Sequence, residues 1–599
     1  MSRKVDIVII DSGVYMQHPQ ISEKVNGYGV KICENNIIID RNCNDEFGHG
    51  TAIYGIIRKH CQEANIIPVK IFQNEEDMAD VGVLIATLNF IYENIQCNII
   101  NMSVGVSILK EKEELHSICK KLIDKGVIIV AAYDNFGSIS YPAEFECVIG
   151  VGEGKDCQKA EDFIFVEGTK LVNVLANGNI QRCFWKNPQY QMCGGNSFAC
   201  AHVTGIIGDN YQEILKKYKG NALKFLENSS LKKISLDIPE FRKKIVNYNG
   251  KRAVIFPFNK ENHSLIRFSE MLGFKIVDVY DSKYSGKVGA YTNDLLKTAL
   301  PQNYVIRNID LIDFSSFDLL IIGHTKELER ITNKNGYGKK LIQQSLERNK
   351  MVYSYDAYPE FGDISLFFNP NIVWKKDYAS PFGKLYRSAT PIVGVFGTTS
   401  KQGKFSLQVI LRNLFLKEGY NVGQIASEPS GLLFGMDYCF PFGYSVRVEV
   451  IRKQMVELIN KLLHDMDTEK DIILVGCQSS TLPYDCGNTA DFTFTQLEFL
   501  FSTWPDCIVL CVNSFDEYND IRRTINFVEA AVKTKVVALV IFPMKLRNPS
   551  AGIYSETLEM GELEKREYME KFSREFNLPT FILGENMYSL YDLLIRFFE

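Results

Sequence analysis

The sequence predicts an α/β chain built from three successive parallel-sheet units. Three observations lead there. Short, continuously apolar runs recur along the 599 residues, as expected of parallel strands covered on both faces. Amphipathic stretches of helical period lie between them. Composition is ordinary for globular chains, with 46% hydrophobic and 23% charged residues. At roughly 100–200 residues per domain, this length holds three or four.

The first unit, residues 1–210, places strands at Val5–Ile10, Ile66–Ile71, Asn98–Met102 and Val127–Ala132, with helices over Val81–Ile95 and Glu113–Lys125. A lysine-rich, helix-like connector over residues 211–250 reads as a solvated face in preference to an anion site. The second unit, 251–388, has strands at Ala253–Phe258, Lys275–Asp281, Asp318–His324 and Met351–Ala357, and helices over Ser264–Leu272 and Lys339–Arg348. The third, 389–599, has strands at Pro391–Gly397, Asp471–Gly476, Asp506–Val512 and Val536–Phe542, and a helix over Leu407–Leu416. The glycine pair Gly286–Gly289 reads as a loop.

Several function classes drop out. Lys+Arg 67 against Asp+Glu 72 gives a net charge of −5, so no basic surplus points to nucleic acid. The apolar runs fall far below the ~20 residues that span a bilayer. The N-terminus lacks a small-residue cleavage site and runs straight into a core strand, which argues against a signal peptide. The 15 cysteines are odd in number and contain no CxxC pair. They read as reduced, buried thiols, which suits a cytoplasmic location.

Three short patterns in the first unit carry chemistry. VDIVIIDSG puts Asp11 at the carboxyl end of a strand. GHGTAIYGII opens a helix with His49, and GGNSFACAHVTG opens another with Ser197. In an open α/β sheet, strand ends and helix starts meet in one crevice. A carboxylate, an imidazole and a hydroxyl delivered there form an orienting group, a general base and a nucleophile. Singly, Asp11 and Ser197 read equally well as helix caps.

The order Asp11…His49…Ser197 is that of the subtilisin type, and residues 4–208 resemble the subtilisin family of serine peptidases. Ile99–Gly105 resembles the family's strand that pairs with the substrate backbone, which implies substrate-binding roles for Ser103, Val104 and Gly105. Val127–Asn135 resembles the segment that ends in the oxyanion asparagine, here Asn135. Tyr141–Ala143 followed by Val148–Gly152 matches the next stretch. The resemblance implies that Ser197 attacks a peptide carbonyl, His49 shuttles the proton, Asp11 holds the imidazole, and Asn135 and the Ser197 amide donate to the oxyanion. Gly50, Gly194 and Gly195 allow close backbone approach. The chain departs from the family at Asn196, Phe198 and Ala201, where Thr, Met and Pro are usual, and at Asp134, where a small residue is usual. Asp134 reads either as a solvated acid or as an S1-wall acid that favours a basic P1 residue. No propeptide precedes Val5, a trait of the family's intracellular members. No Ca²⁺ loop is evident.

In the third unit VGVFGTTSKQGKFSLQ follows a strand and precedes a helix. Such a glycine-rich turn offers backbone N–H groups to phosphate, and a lysine neutralises the charge. Gly397, Thr398, Gly403, Lys404 and Ser406 are the candidate nucleotide-binding residues. The spacing resembles the variant P-loop of dethiobiotin synthetase and related NTPases. Phe405 stands where the Mg²⁺-binding hydroxyl belongs; Asp471–Gly476 lacks a terminal acid and is followed by Gln478, and Glu428 is a further candidate for Mg²⁺. Residues 251–599 resemble a Rossmann-like plus P-loop NTPase-like module of clostridial peptide-maturation systems.

The expectation is a cytoplasmic subtilisin-type serine endopeptidase that needs no cofactor itself and removes the leader of a ribosomally made precursor peptide. Its C-terminal module is expected to bind ATP or another NTP with Mg²⁺. The alternative is an NTP-dependent peptide ligase or transferase with an accessory peptidase. A third reading is a scaffold with vestigial sites.

Overall fold

Strand β1 (Asp6–Asp11) is DIVIID, buried from its second residue onward. It pairs in parallel with β4 (Asn65–Lys70) on one side and β5 (Ile99–Met102) on the other, so its last residue, Asp11, lies at the middle of a parallel sheet's carboxyl edge. In this computed structural model the sheet has ten strands: β2 (Tyr28–Cys33) and β3 (Asn36–Asp40) beyond β4, then β6 (Ile128–Ala132), β7 (Ile149–Glu153), β9 (Val174–Ala176) and β8 (Phe163–Glu167) beyond β5. A hairpin, β10 (Gln181–Phe184) with β11 (Tyr190–Cys193), stands apart from it. The structure describes residues 4–599 except 34–35, 73–79, 107–110, 136–139, 168–171, 236–246, 298–299, 301, 326–327, 330–335, 363, 371–384, 441–451, 468, 477, 479, 483–493 and 548–556.

Two apolar layers cover this sheet. On one face α1 (His49–His60) and α4 (Asn196–Asp209) bury Ile53, Ile57, Val203 and Ile207 against Ile7 and Ile9. On the other α2 (Val81–Asn94) and α3 (Lys112–Asp124) bury Leu84, Leu88, Leu115 and Leu122 against Val8 and Ile10. The alternation along β1 serves both cores, which is why its sequence is apolar at every turn of the pleat.

The expected connector is different in kind. After α5 (Tyr211–Tyr218) and α6 (Ala222–Ser229), residues Lys233–Ser235 form β12, which pairs in parallel with β8 at the sheet's edge. A three-residue edge strand carries too little pattern to be read from the sequence. The lysines make exposed ion pairs, Lys217 with Glu213, Lys232 with Asp156 and Lys233 with Glu227, as a solvated face should. Lys243 and Lys244 lie outside the described residues.

The chain divides into two compact units, Met1–Ile238 with Ala379–Ala389, and Pro239–Tyr378 with Thr390–Glu599. Unit 2 holds two parallel sheets. The first runs β15 (Ile306–Asn308), β14 (Lys275–Asp281), β13 (Arg252–Phe256), β16 (Leu319–Ile322), β17 (Met351–Ser354), β18 (Phe367–Phe368). The second runs β21 (Tyr438–Cys439), β20 (Val422–Ala426), β22 (Ile472–Gly476), β19 (Ile392–Gly397), β23 (Cys507–Asn513), β24 (Lys535–Phe542) and a last strand, Thr580–Ile582. Helix α7 (Lys260–Arg267) follows β13 and starts four residues before the expected Ser264, because Asn259 caps it and its first turn, KENH, is polar.

A 3₁₀ turn, Pro429–Phe434, wedges between the two halves of unit 2. Leu433 is buried in the apolar cluster of Ile255, Leu265 and Tyr353. The Tyr353 hydroxyl donates to the Pro429 carbonyl at 2.5 Å. Phe434 packs on Phe268 at 6.4 Å and on Phe405 at 5.9 Å. Phe405 therefore has a structural role that a hydroxyl residue could not fill: it joins Val409, Ala426 and Met436 in the seam. Truncating a buried phenylalanine costs about 3–5 kcal/mol. Phe405→Ala is expected to lower the unfolding transition of unit 2 and leave that of unit 1 in place, as read by calorimetry of the full chain.

Candidate active site

Asp11 is 1% exposed. Its Oδ1 accepts the Ser12 amide at 2.7 Å and lies 2.8 Å from His49 Nδ1. His49 is the first residue of α1, and two contacts bolt this helix start to the loop after β1. The Gly50 amide donates to Ser12 Oγ at 2.8 Å, and the Tyr15 amide to Thr51 Oγ1 at 2.8 Å. A Cβ on Gly50 would overlap the Gly13 carbonyl oxygen and lie 3.1 Å from Asp11 Oδ1, so only glycine lets the helix come this close.

Sequence reasoning missed Asp45. It is fully buried and accepts the amides of Phe47, Gly48 and Thr51 at 3.1, 2.9 and 2.9 Å, and the Thr51 hydroxyl at 2.6 Å. Its signal was an acid four residues before His49, where a helix start needs acceptors. Burial alone would push the His49 pKa down, but the Asp11 charge and hydrogen bond, with Asp45 behind them, outweigh it and hold the imidazole above its usual value.

Ser197 is the second residue of α4. Its Oγ donates to the Ser103 carbonyl at 3.3 Å, while Ser103 Oγ donates to the Ser197 carbonyl at 3.1 Å. Asn101 supports Ser103 Oγ through Nδ2 at 3.1 Å and accepts from Thr204 Oγ1 at 2.8 Å. The next residue, Phe198, packs edge-on to the His49 ring with centroids 5.5 Å apart. The structure thus joins Asp11 to His49 directly, and Ser197 to the strand end at Ser103. Among the described residues the serine hydroxyl does not bond His49.

Asn135 lies beside the serine. Its Oδ1 accepts the Asn196 amide at 2.8 Å, which directs the donor Nδ2 the other way. Gly195 takes φ +129°, and a Cβ there would sit 2.8 Å from Asn135 Oδ1. Asn196, seen in the sequence only as a departure, is the clamp of this loop. It is 4% exposed. Its Nδ2 donates to the carbonyls of Tyr133 and Asp134 at 3.1 and 3.0 Å, and its Oδ1 accepts the Glu153 amide at 2.8 Å. A threonine has no second donor for this. Asp134 is half-buried; Val104 is buried and Gly105 exposed, just past β5. A cavity of about 540 Å³ flanks Asn135 and Gly195, lined by Glu153, Lys155, Asn179 and Ile180. From the Ala379–Ala389 stretch, buried Tyr386 acts electrostatically on Tyr133, the residue before Asp134.

The second candidate site lies in unit 2. The loop from Thr398 to Gly403 joins β19 to the helix Lys404–Lys417. A buried acid after β23, Asp516, anchors it. Asp516 receives Thr398 Oγ1 in a short hydrogen bond and Gln402 Nε2 at 2.8 Å, while Gln402 Oε1 accepts the Thr399 amide at 3.0 Å. Burial raises the Asp516 pKa against the pull of these donors. Lys404 Nζ donates to the Thr399 carbonyl at 2.6 Å. The amides of Ser400 through Gly403 donate to no described protein group. The loop therefore fits a phosphate. It does not fit magnesium in the usual way: Phe405 is buried in the apolar seam, Ser406 follows it one residue along the helix, and β22 ends at Gly476 without an acid. Gln478 instead donates to the Ser427 carbonyl at 3.1 Å. Among the described residues no group of three or more His, Cys, Asp or Glu could hold a metal, and no helix is long and apolar enough to cross a membrane. Twelve of the described cysteines are free thiols.

The first unit is thus an α/β domain with a subtilisin-type order of carboxylate, imidazole and hydroxyl, and the end of the chain is a P-loop domain. Residues 2–238 match the subtilase family, and residues 382–586 match a P-loop domain of unknown function, DUF1611. The chain carries a subtilase-family domain followed by a DUF1611 P-loop domain. Among curated proteins it is 27% identical over 217 residues to the minor extracellular protease Epr of Bacillus subtilis, 34% of this chain and 32% of that protein. It is 28% identical over 216 residues to thermitase of Thermoactinomyces vulgaris, 34% of this chain and 73% of that protein. It is 24% identical over 221 residues to an intracellular serine protease of Paenibacillus polymyxa, 34% and 66%. The chain thus spans about a third of the length of Epr. Among solved structures, a DUF1611-family protein of Anabaena variabilis aligns with 58% of this chain and all of its own, at 16% identity and TM-score 0.42. A cold-adapted subtilisin-like serine proteinase aligns with 37% of this chain and 81% of its own, at 21% identity and TM-score 0.30.

Two outcomes are expected. Asn196→Ala removes three buried side-chain hydrogen bonds, each worth about 0.5–1.5 kcal/mol net, so it lowers the thermal midpoint of unit 1. Selectively labelled histidine NMR should place the His49 midpoint above the usual imidazole value of about 6.5. Removing the charge in Asp11→Asn takes away the favourable partner of the imidazolium and moves that midpoint down.

Proposed function

We propose that this chain is a serine endopeptidase whose nucleophile is Ser197, and that it works in the cytoplasm. The observation that carries the reading is the Asp11–His49 pair, 2.8 Å apart on the carboxyl edge of a parallel sheet, with Ser197 opening a helix beside it. A turn of the Ser197 side chain off the Ser103 carbonyl frees Oγ for His49. Oγ then attacks the peptide carbonyl as His49 takes its proton. Asp11 holds the imidazole and balances the imidazolium charge. The Asn135 amide and the Ser197 backbone N–H receive the oxyanion. His49 returns the proton to the leaving amine, the acyl-enzyme forms, and water reverses the sequence. Neutral His49 is the working form, so activity falls as pH drops through its raised pKa.

The substrate backbone lies along Ser103–Gly105, and Asp134 favours a basic residue in the neighbouring pocket. The substrate is a precursor peptide whose leader is removed, and the P-loop domain binds a nucleotide. Support for the nucleotide is the set of unshared amides at Ser400–Gly403 beside Lys404. Support for the precursor is the sequence resemblance of residues 251–599.

Cleavage of a peptide library by the purified chain tests the reading. Ser197→Ala should abolish it. Asn135→Ala should lower kcat about 10²–10³-fold with little change in KM. Unchanged cleavage by Ser197→Ala would overturn the assignment.

A further inference from the structure

Along the carboxyl edge of the first sheet, β5, β6, β7 and β9 are neighbours in that order and run parallel. The segments after them carry, in the same order, Ser103, Asn135, Lys155 and Ile180. The cavity of about 540 Å³ occupies the second half of this row. Asn135, Glu153, Lys155 and Ile180 line it from the strand ends, and Gly194 and Gly195 line it from the loop that leads into Ser197. Neither Ser103–Gly105 nor Asp134 borders it. It therefore lies on the opposite side of Asn135 from the segment that takes the acyl half of a substrate in the reading above. Adjacent strands are about 4.8 Å apart and an extended chain advances about 3.3 Å per residue. The walls at Lys155 and Ile180, one and two strands beyond Asn135, are thus within reach of the first three residues past the scissile bond.

The hairpin β10–β11 leads from His49 to this cavity. A Cβ on Gly48, the residue before His49, would meet the Trp185 ring, and one on Gly55 would meet the Phe184 ring, so the hairpin's tip rests on α1 close to the imidazole. Its other end, at Ile180 and Gly194, is the cavity wall. The leaving amine receives its proton from His49, so the leaving half of a substrate starts beside this hairpin.

The exposed side chains here have no described partner inside the domain. Cys183 is 2% exposed and faces inward. Arg182 pairs with Met192 on the other face of the hairpin, and alternation along the strand puts Ile180 on that face too. Ile180 is 74% exposed and Met192 61%, two large apolar side chains left in water beside a cavity. Lys155 is also exposed. Its carbonyl accepts from Gln158 Nε2 at 2.8 Å, but its ammonium pairs with no described group, and the adjacent Asp156 is taken by Lys232. Glu153 is half-buried and turned toward Gly178, where a Cβ would lie 3.3 Å from its Oε2. Of the two charged residues that line the cavity, the exposed one is the cation.

We propose that this cavity receives the leaving half of the substrate, with an acidic side chain at Lys155 and an apolar one against Ile180 and Met192. This rests on the endopeptidase reading given above and adds a substrate class to it. Lys155 becomes a specificity residue on the leaving side, independent of any preference set on the acyl side by Asp134.

Cleavage of matched peptides by the full chain tests this. The peptides share one acyl half that the chain cleaves and carry Glu or Gln at the second or third position past the scissile bond. The expected result is a kcat/KM about three- to fivefold higher with Glu at one of these positions, the scale of one exposed ion pair. Lys155→Glu should invert that ratio and Lys155→Arg should keep it, while Lys224→Glu, exposed on α6, should not move it. Ile180→Ser should cut the advantage of Leu over Ser at the adjoining position about threefold. Each ratio is taken within one preparation, so partial unfolding of a variant cancels. A second measurement reads the leaving side alone: the acyl-enzyme formed from an ester partitions between water and an added peptide amide, which enters along the path the leaving amine takes. A Glu-containing amide should capture it better than its Gln counterpart, and Lys155→Glu should reverse this. Equal cleavage of the Glu and Gln peptides, a ratio that survives in Lys155→Glu, or a preference seen in cleavage and absent from partitioning would overturn the assignment and leave the peptidase standing. Absence of Ser197-dependent cleavage of every peptide would overturn the peptidase reading, and the assignment with it.

Discussion

A charged carboxylate at the buried end of a central strand is costly unless something pairs with it. Asp11 is such a group, and the contact with His49 is what its Oδ1 has besides the Ser12 amide. Much of unit 1 is arranged around that pair. Gly50 lets α1 approach, Ser12 and Asp45 cap its start, and Phe198 packs against the imidazole from α4. The sheet puts β5 next to β1, so the Ser103 carbonyl and hydroxyl reach Ser197 from the adjacent strand end. Function follows from topology here: a parallel sheet collects its carboxyl ends on one side, and the groups that need one another arrive together.

The same logic recurs in unit 2 with different chemistry. β19 ends in a glycine turn held by a buried acid that follows the neighbouring strand, and the Ser400–Gly403 amides donate to no described protein group. What separates the two sites is the source of charge balance. In unit 1 a buried carboxylate at a strand end is paired with an imidazole at a helix start. In unit 2 a phenylalanine packed in the seam stands where a metal-binding hydroxyl would be, and Lys404 is the cation at the loop.

The strands and most helices were legible because continuous apolar runs leave few alternatives. Asp11, His49 and Ser197 stood out in the sequence because each sits at an element boundary with a glycine nearby; the structure joins the first two and sets the Ser197 hydroxyl on the Ser103 carbonyl. Asp45, Asn196 and Asp516 did not stand out, since each acts through backbone amides, carbonyls or a partner's side chain, and such partners are set by folding. The role of Phe405 was hidden for the same reason: its neighbour Phe434 lies 29 positions away in the sequence and Phe268 lies in the other half of the unit. The edge strand Lys233–Ser235 was missed because three residues beside a lysine pair look like the solvated helix before them.

The central claim is that Ser197 is a hydroxyl made nucleophilic by His49. It is tested most directly by treating the chain with a fluorophosphonate and locating the adduct by peptide mass spectrometry. The account predicts a single adduct on Ser197 that disappears in His49→Ala and forms more slowly as pH falls through the raised imidazole pKa. An adduct on another serine, or undiminished labelling of Ser197 in His49→Ala, would contradict it.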